Sequence, residues 1–136
     1  MRLTSNTAIA GIRETSVLRY FETFNSGKFV ATATLFSPQG RLYPPFESAI
    51  VGREAIASYL ETEAREMTLS PQESLARIGD EGTCEIQVAG TAQNSAFSVN
   101  VSWNFCLDKN QQLQSVRVKL LASPQELLKM RQDSQK

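Results

Sequence analysis

FSVNVSWNFCL, residues 97–107, decides how this chain folds. Phe97, Val99, Val101, Trp103, Phe105 and Leu107 occupy every second position, with Ser98, Asn100, Ser102, Asn104 and Cys106 between them. Successive side chains of a strand point to opposite sides of a sheet, so the alternation predicts a strand with one apolar and one polar face. Trp103, the only tryptophan in the chain, sits on the apolar face.

The same period recurs on both sides of that stretch. It predicts strands over 74–78, over 83–91 with Cys84, Ile86 and Val88 on one face, and over 113–121, where Val116, Val118 and Leu120 alternate with Arg117 and Lys119. Gly79-Asp80-Glu81-Gly82 and Asp108-Lys109-Asn110 supply the turns between them. Ahead of Pro71 the period is helical. Val17, Leu18, Phe21 and Phe24, with Tyr20 beside them, predict a helix capped by Thr15 or Ser16 and closed by Gly27. A second, short helix fits 28–36. Ser37-Pro38-Gln39-Gly40 reads as a turn, and 41–46 as a short extended piece that Pro44-Pro45 confines to a sheet edge or a polyproline stretch. A third helix fits 52–67, with Ile56, Tyr59, Leu60 and Ala64 on one face.

Helices gathered ahead of an antiparallel meander define an α+β class. They cover one face of a curved sheet, and bending that sheet into a cone leaves a cavity whose mouth suits a ligand. The expected organisation is an N-terminal arm over 1–14, one domain over 15–124, and a C-terminal helix and tail over 125–136, with the last helix at 125–130. The length of 136 residues is that of a single domain able to bury about two thirds of its unfolded surface.

Composition removes several function classes. Fourteen basic residues balance fourteen acidic ones, which leaves no excess to neutralise phosphates and argues against nucleic acid as a partner. The apolar runs are too short for a membrane span, and the N-terminus does not read as a secretory signal, so a cytoplasmic location is expected. Histidine is absent, which removes imidazole bases, Ser-His or Cys-His nucleophiles and His-ligated zinc. Cys84 and Cys106 lack metal-ligand spacing and read as packed or half-exposed thiols.

Four stretches carry a resemblance. VLRYFETFNSGKFVATATLF (17–36), LYPPFESAIVGREAI (42–56), VNVSWNF (99–105) and KLLASPQELL (119–128), in this order, closely resemble the C-terminal domain of cyanobacterial orange carotenoid proteins. The resemblance implies a nuclear transport factor 2-like cone and a stand-alone homologue of that domain. Such homologues carry a keto-carotenoid of the echinenone or canthaxanthin type, held non-covalently, usually as a homodimer, and exchange it with helical carotenoid proteins. A photoprotective, singlet-oxygen-quenching role and transient membrane contact for pigment uptake belong to the same implication.

The family's hydrogen-bond donors to the ring carbonyl correspond here to Tyr20, in VLRYFE, and Trp103, in NVSWNF. The chemistry suits them, since a ketone only accepts, an indole N–H only donates, and a phenol can donate. Pro44 and Pro45 are expected to wall the mouth, and Phe97, Val101, Phe105, Val116, Val118 and Leu120 to line the cavity. Glu63 matches a family carboxylate at an interdomain interface. Ala96-Phe97 replaces the family's Trp-Phe pair, which implies a looser tunnel. Cys106, on the polar face, could form an intersubunit disulfide under oxidation. Two rival readings keep the fold: a ligand-free dimerising adaptor, and a small-molecule isomerase or lyase. The second would require a carboxylate base inside the cavity.

Overall fold

A computed structural model describes residues 14–121. Helix α1 (Thr15–Asn25) is followed by α2 (Phe29–Thr34), strands β1 (Phe36–Tyr43) and β2 (Ile50–Val51), α3 (Arg53–Glu63), and strands β3 (Thr68–Ile78), β4 (Cys84–Gln93), β5 (Ser98–Leu107) and β6 (Leu113–Leu121). The strands form one sheet in the order β2-β1-β6-β5-β4-β3. The α+β class expected from the sequence holds, with helices on one face of a curved sheet. Every pairing is antiparallel except β1 with β6, which run parallel and are joined by the long connection through α3 and the meander.

Helix α1 buries Val17, Phe21 and Phe24 of the predicted stripe against the sheet together with Tyr20, while Leu18 is only partly buried. Glu14 rather than a hydroxyl residue stands at its N-cap, and Ser16 Oγ donates instead to the Gln111 carbonyl in the β5–β6 turn. Gly27 closes the helix at φ +74°. The Gly27 N–H bonds to the Phe24 carbonyl at 3.0 Å and the Lys28 N–H to the Thr23 carbonyl at 2.9 Å, which satisfies the last carbonyls of the helix. Asn25 then ties α1 to the start of β3. Its amide nitrogen donates to the Leu69 carbonyl and its amide oxygen accepts from the Leu69 N–H, both at 2.8 Å.

The segment 36–46 departs from expectation. Ser37–Gly40 is part of β1, not a turn, and α2 ends before Phe36. The β1–β6 register skips between Phe36 and Arg41, so Pro38 falls where no ladder bond is needed from it. Arg41 and Leu42 are paired on both sides, so this strand is interior, and the two prolines come only after it ends. Strand β3 begins six residues earlier than the alternation suggests and contains Pro71. It is an edge strand with a register shift between Pro71 and Glu73, where a missing N–H is tolerated. Opposite that bulge stands Gly90, where a Cβ would run into the Ser70 carbonyl and the Pro71 Cα. The expected helix over 52–67 is confined to Arg53–Glu63, and the limits of β6 agree with the sequence reading. The N-terminal arm up to residue 13 and the expected helix over 125–130 lie outside the described residues.

Candidate functional site: an apolar cavity with two buried donors

The inward residues of the three central strands pair in rows. Ile86, Phe105 and Val116 form one row, Val88, Trp103 and Val118 the next, then Gly90, Val101 and Leu120, and finally Ala92 with Val99 and Leu69. Along β4 the side chains shrink from isoleucine and valine to glycine and alanine. The wide end of the cone therefore has too little side-chain volume to fill it. A cavity of about 530 Å³ results, within the range of small-molecule sites.

Tyr20 and Trp103 both line this cavity. Tyr20 is 2% exposed and held edge-on by Phe105, with ring centroids 5.1 Å apart, and Phe24 stacks on it at 6.1 Å. Trp103 is equally buried, with Phe21 edge-on at 4.9 Å. Among the described residues neither the Tyr20 hydroxyl nor the Trp103 indole N–H has a hydrogen-bond partner. Buried donors are ordinarily satisfied, and each unsatisfied one costs roughly 1–3 kcal/mol. Burial, with the nearby Tyr59 phenol second, pushes the ionisation of Tyr20 far above the usual phenol range, so it stays a donor.

Pro44, Pro45, Val101, Val118 and Leu120 line the cavity as well. Phe97 also lines it, but from ahead of β5 and 51% exposed, so it sits at the mouth, as does Leu120 at 46% exposed. Phe105 and Val116 do not line it. Both belong to the row below Trp103 and are fully buried among core side chains, Phe105 between the rings of Tyr20 and Phe21. Alternation places a residue on a face but does not show whether that face meets protein or empty space.

Other walls went unmarked in the sequence reading. Phe24 lies one turn beyond Tyr20 on α1, Leu60 lies on α3 with Ala64 just past the end of that helix, and Met67 follows. Tyr59 is the addition with chemistry. It is half-buried, it lines the cavity, and its hydroxyl donates to Glu47 Oε2 at 3.2 Å. Burial, then the charges of Glu47 and Glu63, push its ionisation up to about 12. Glu63 is the single carboxylate lining the cavity among the described residues, and it is exposed. A second hollow, of about 590 Å³, adjoins the mouth and shares Pro44, Pro45, Val118 and Leu120 with the first. There Arg117 lies 4.1 Å from the centre of the Tyr43 ring. Cys84 and Cys106 are both half-buried thiols, and no group of His, Cys, Asp and Glu among the described residues could hold a metal ion. No described helix is long and apolar enough to cross a membrane.

A cone of this construction defines the class: residues 17–112 match the SnoaL-like domain, and the chain belongs to that family. Within it, the chain is similar to the orange carotenoid-binding protein of Synechocystis sp. (strain ATCC 27184 / PCC 6803 / Kazusa), 32% identical over 89% of this chain and 39% of that protein. It also matches the structure of the Anabaena (Nostoc) sp. PCC 7120 orange carotenoid protein binding canthaxanthin. That match has a TM-score of 0.79 at 34% identity and covers 88% of this chain and 39% of that one. The likeness falls on the C-terminal-domain portion, and the chain spans about two fifths of these relatives. The epoxide hydrolase/cyclase-like enzyme SalBIII shares the fold alone, with a TM-score of 0.60 at 21% identity over 78% of this chain and 88% of that one.

Proposed function

We propose that this chain binds a keto-carotenoid non-covalently in the apolar cavity and carries it, without catalysis, to helical carotenoid proteins. The pairing of an apolar cavity with two buried donors that have no partner among the described residues carries the reading. A ring ketone has two lone pairs and can accept from both Tyr20 and Trp103. Each such bond contributes about 0.5–1.5 kcal/mol net, so apolar burial supplies most of the affinity and the donors supply selectivity. The solved relative that binds canthaxanthin supports the same class of ligand.

A carotenoid has an end ring at each end of a long polyene, and one cavity of this size accommodates one ring with part of the chain. The mouth is rimmed by exposed Phe97 and Leu120, with Phe46, 92% exposed, on the adjoining hollow. A homodimer joined mouth to mouth about a two-fold axis would cover both rings and this apolar rim. In this reading the carrier works in the cytoplasm, meets membranes only transiently, and supports photoprotection by delivering a quenching pigment.

The experiment is production of the chain in cells that make canthaxanthin, followed by purification and absorption spectroscopy. A co-purifying, red-shifted visible band is expected. Colourless protein from pigment-rich cells would overturn the reading in favour of a ligand-free adaptor.

A further inference from the structure

Strand β3 closes one side of the sheet, and no described strand pairs with its outer side. Its first half is broken by Pro71 and by Gln72, which has no partner in the register with β4. The second half is regular. Glu73 lies opposite Ala89, Leu75 opposite Gln87 and Arg77 opposite Glu85, so these three side chains share the sheet face turned away from the helices. All three are exposed, Leu75 at 60%. None of residues 73–77 lines the cavity or the adjoining hollow. An edge of this kind presents backbone donors and acceptors to any strand that comes to lie beside it.

Charges on an edge strand ordinarily keep other strands away. Here their placement admits one partner. Laid antiparallel against itself about Leu75, the stretch 73–77 sets Glu73 of one copy opposite Arg77 of the other, Arg77 opposite Glu73, and Leu75 against Leu75. Opposite charges directly across an antiparallel pair stabilise it, and like charges destabilise it. Arg77 then lies between two carboxylates on one face, Glu73 of the second copy and Glu85 of its own β4. Glu85 is itself held on that face, where its Oε2 accepts from Asn104 Nδ2 at 2.8 Å. An unrelated strand matches this edge only by repeating the same order of acid, apolar residue and base. We propose that β3 pairs antiparallel with β3 of a second copy of this chain, joining two sheets into one across a two-fold axis at Leu75. Residues 73–77 bury less than the roughly 1,200 Å² at which stable interfaces begin, so the pairing forms in concentrated rather than dilute solution. It uses a different part of the molecule from the mouth-to-mouth arrangement and does not depend on pigment.

The test is sedimentation equilibrium of the pigment-free full chain over a range of concentrations up to about 1 mM. The wild type is expected to show a reversible monomer–dimer equilibrium with a Kd on the order of 100 µM. Glu73→Arg and Arg77→Glu, both at exposed positions, are each expected to weaken dimerisation roughly tenfold, because like charges then face each other across the axis. An equal mixture of the two variants sets opposite charges across the axis again, and association should return to within about threefold of the wild type. A contact through the mouth, through residues 1–13 or through another face would not respond to this exchange of charge. A wild type that stays monomeric throughout, association that both single variants keep, or a mixture that stays monomeric overturns the assignment.

Discussion

Trp103 and Phe105 stand two positions apart on one face of β5, and the sequence treats them alike. What separates them is the row each belongs to: Ile86 and Val116 close the gap around Phe105, while the row beyond Trp103 contains Gly90. Trp103→Phe keeps an aromatic wall and deletes the donor. Keto-carotenoid affinity is expected to fall roughly twofold to tenfold and the visible band to shift, as read by titration of apoprotein. An unchanged spectrum and affinity would remove the indole from the site. Tyr20 and Tyr59 make a second prediction at this scale. Both are held above the ordinary phenol value of 10.0 in the folded chain, Tyr59 at about 12. Below pH 10 both states are protonated and the associated stability is fully present. Above it the unfolded chain ionises first, so stability falls as pH rises toward the folded values. Urea midpoints should decline from about pH 10 upward, and the Tyr20→Phe/Tyr59→Phe double variant should flatten that slope.

At the scale of elements, strands with clean alternation were legible and the interrupted ones were not. Leu113 to Leu121 alternates without a break, and its limits are those of β6. Pro38 and Gly40 look like a turn because both residues favour turns, but the strand tolerates them where its ladder slips a register. Pro71 hid the first half of β3 for the same reason. Tyr20 and Trp103 could be named from the family's motifs, whereas Tyr59 could not be told from any helix aromatic until the Glu47 loop was in place. The hollow itself follows from small residues on β4, so Ala92→Phe should fill it. Pigment binding is expected to be lost with thermal stability kept or raised; retained pigment would place the ligand elsewhere. Asn25→Ala removes both bonds that clasp α1 to β3 and should destabilise the domain by about 1–3 kcal/mol in urea unfolding. A neutral result would mean that α1 is held by its apolar stripe alone.

For the whole molecule, fourteen basic residues balance fourteen acidic ones, so no net field steers a charged partner toward it. An exposed phenylalanine in a left-handed backbone conformation, Phe46 at φ 63°, stands on the hollow beside the mouth rather than in the cavity. In a mouth-to-mouth assembly that side chain is covered by the second copy. Light scattering should give a dimer for pigment-loaded protein and a shift toward monomer for Phe46→Ser at the same concentration; a loaded monomer would contradict the shared-ligand arrangement. The claim on which the rest depends is that a ketone, not merely a polyene, is what the cavity holds. Apoprotein offered equal amounts of canthaxanthin and β-carotene, which differ by the ring ketones, measures this directly. Extraction of the bound pigment should return canthaxanthin in clear excess, and the excess should vanish in the Tyr20→Phe/Trp103→Phe double variant. Equal recovery of the two pigments from the wild-type protein would contradict the account.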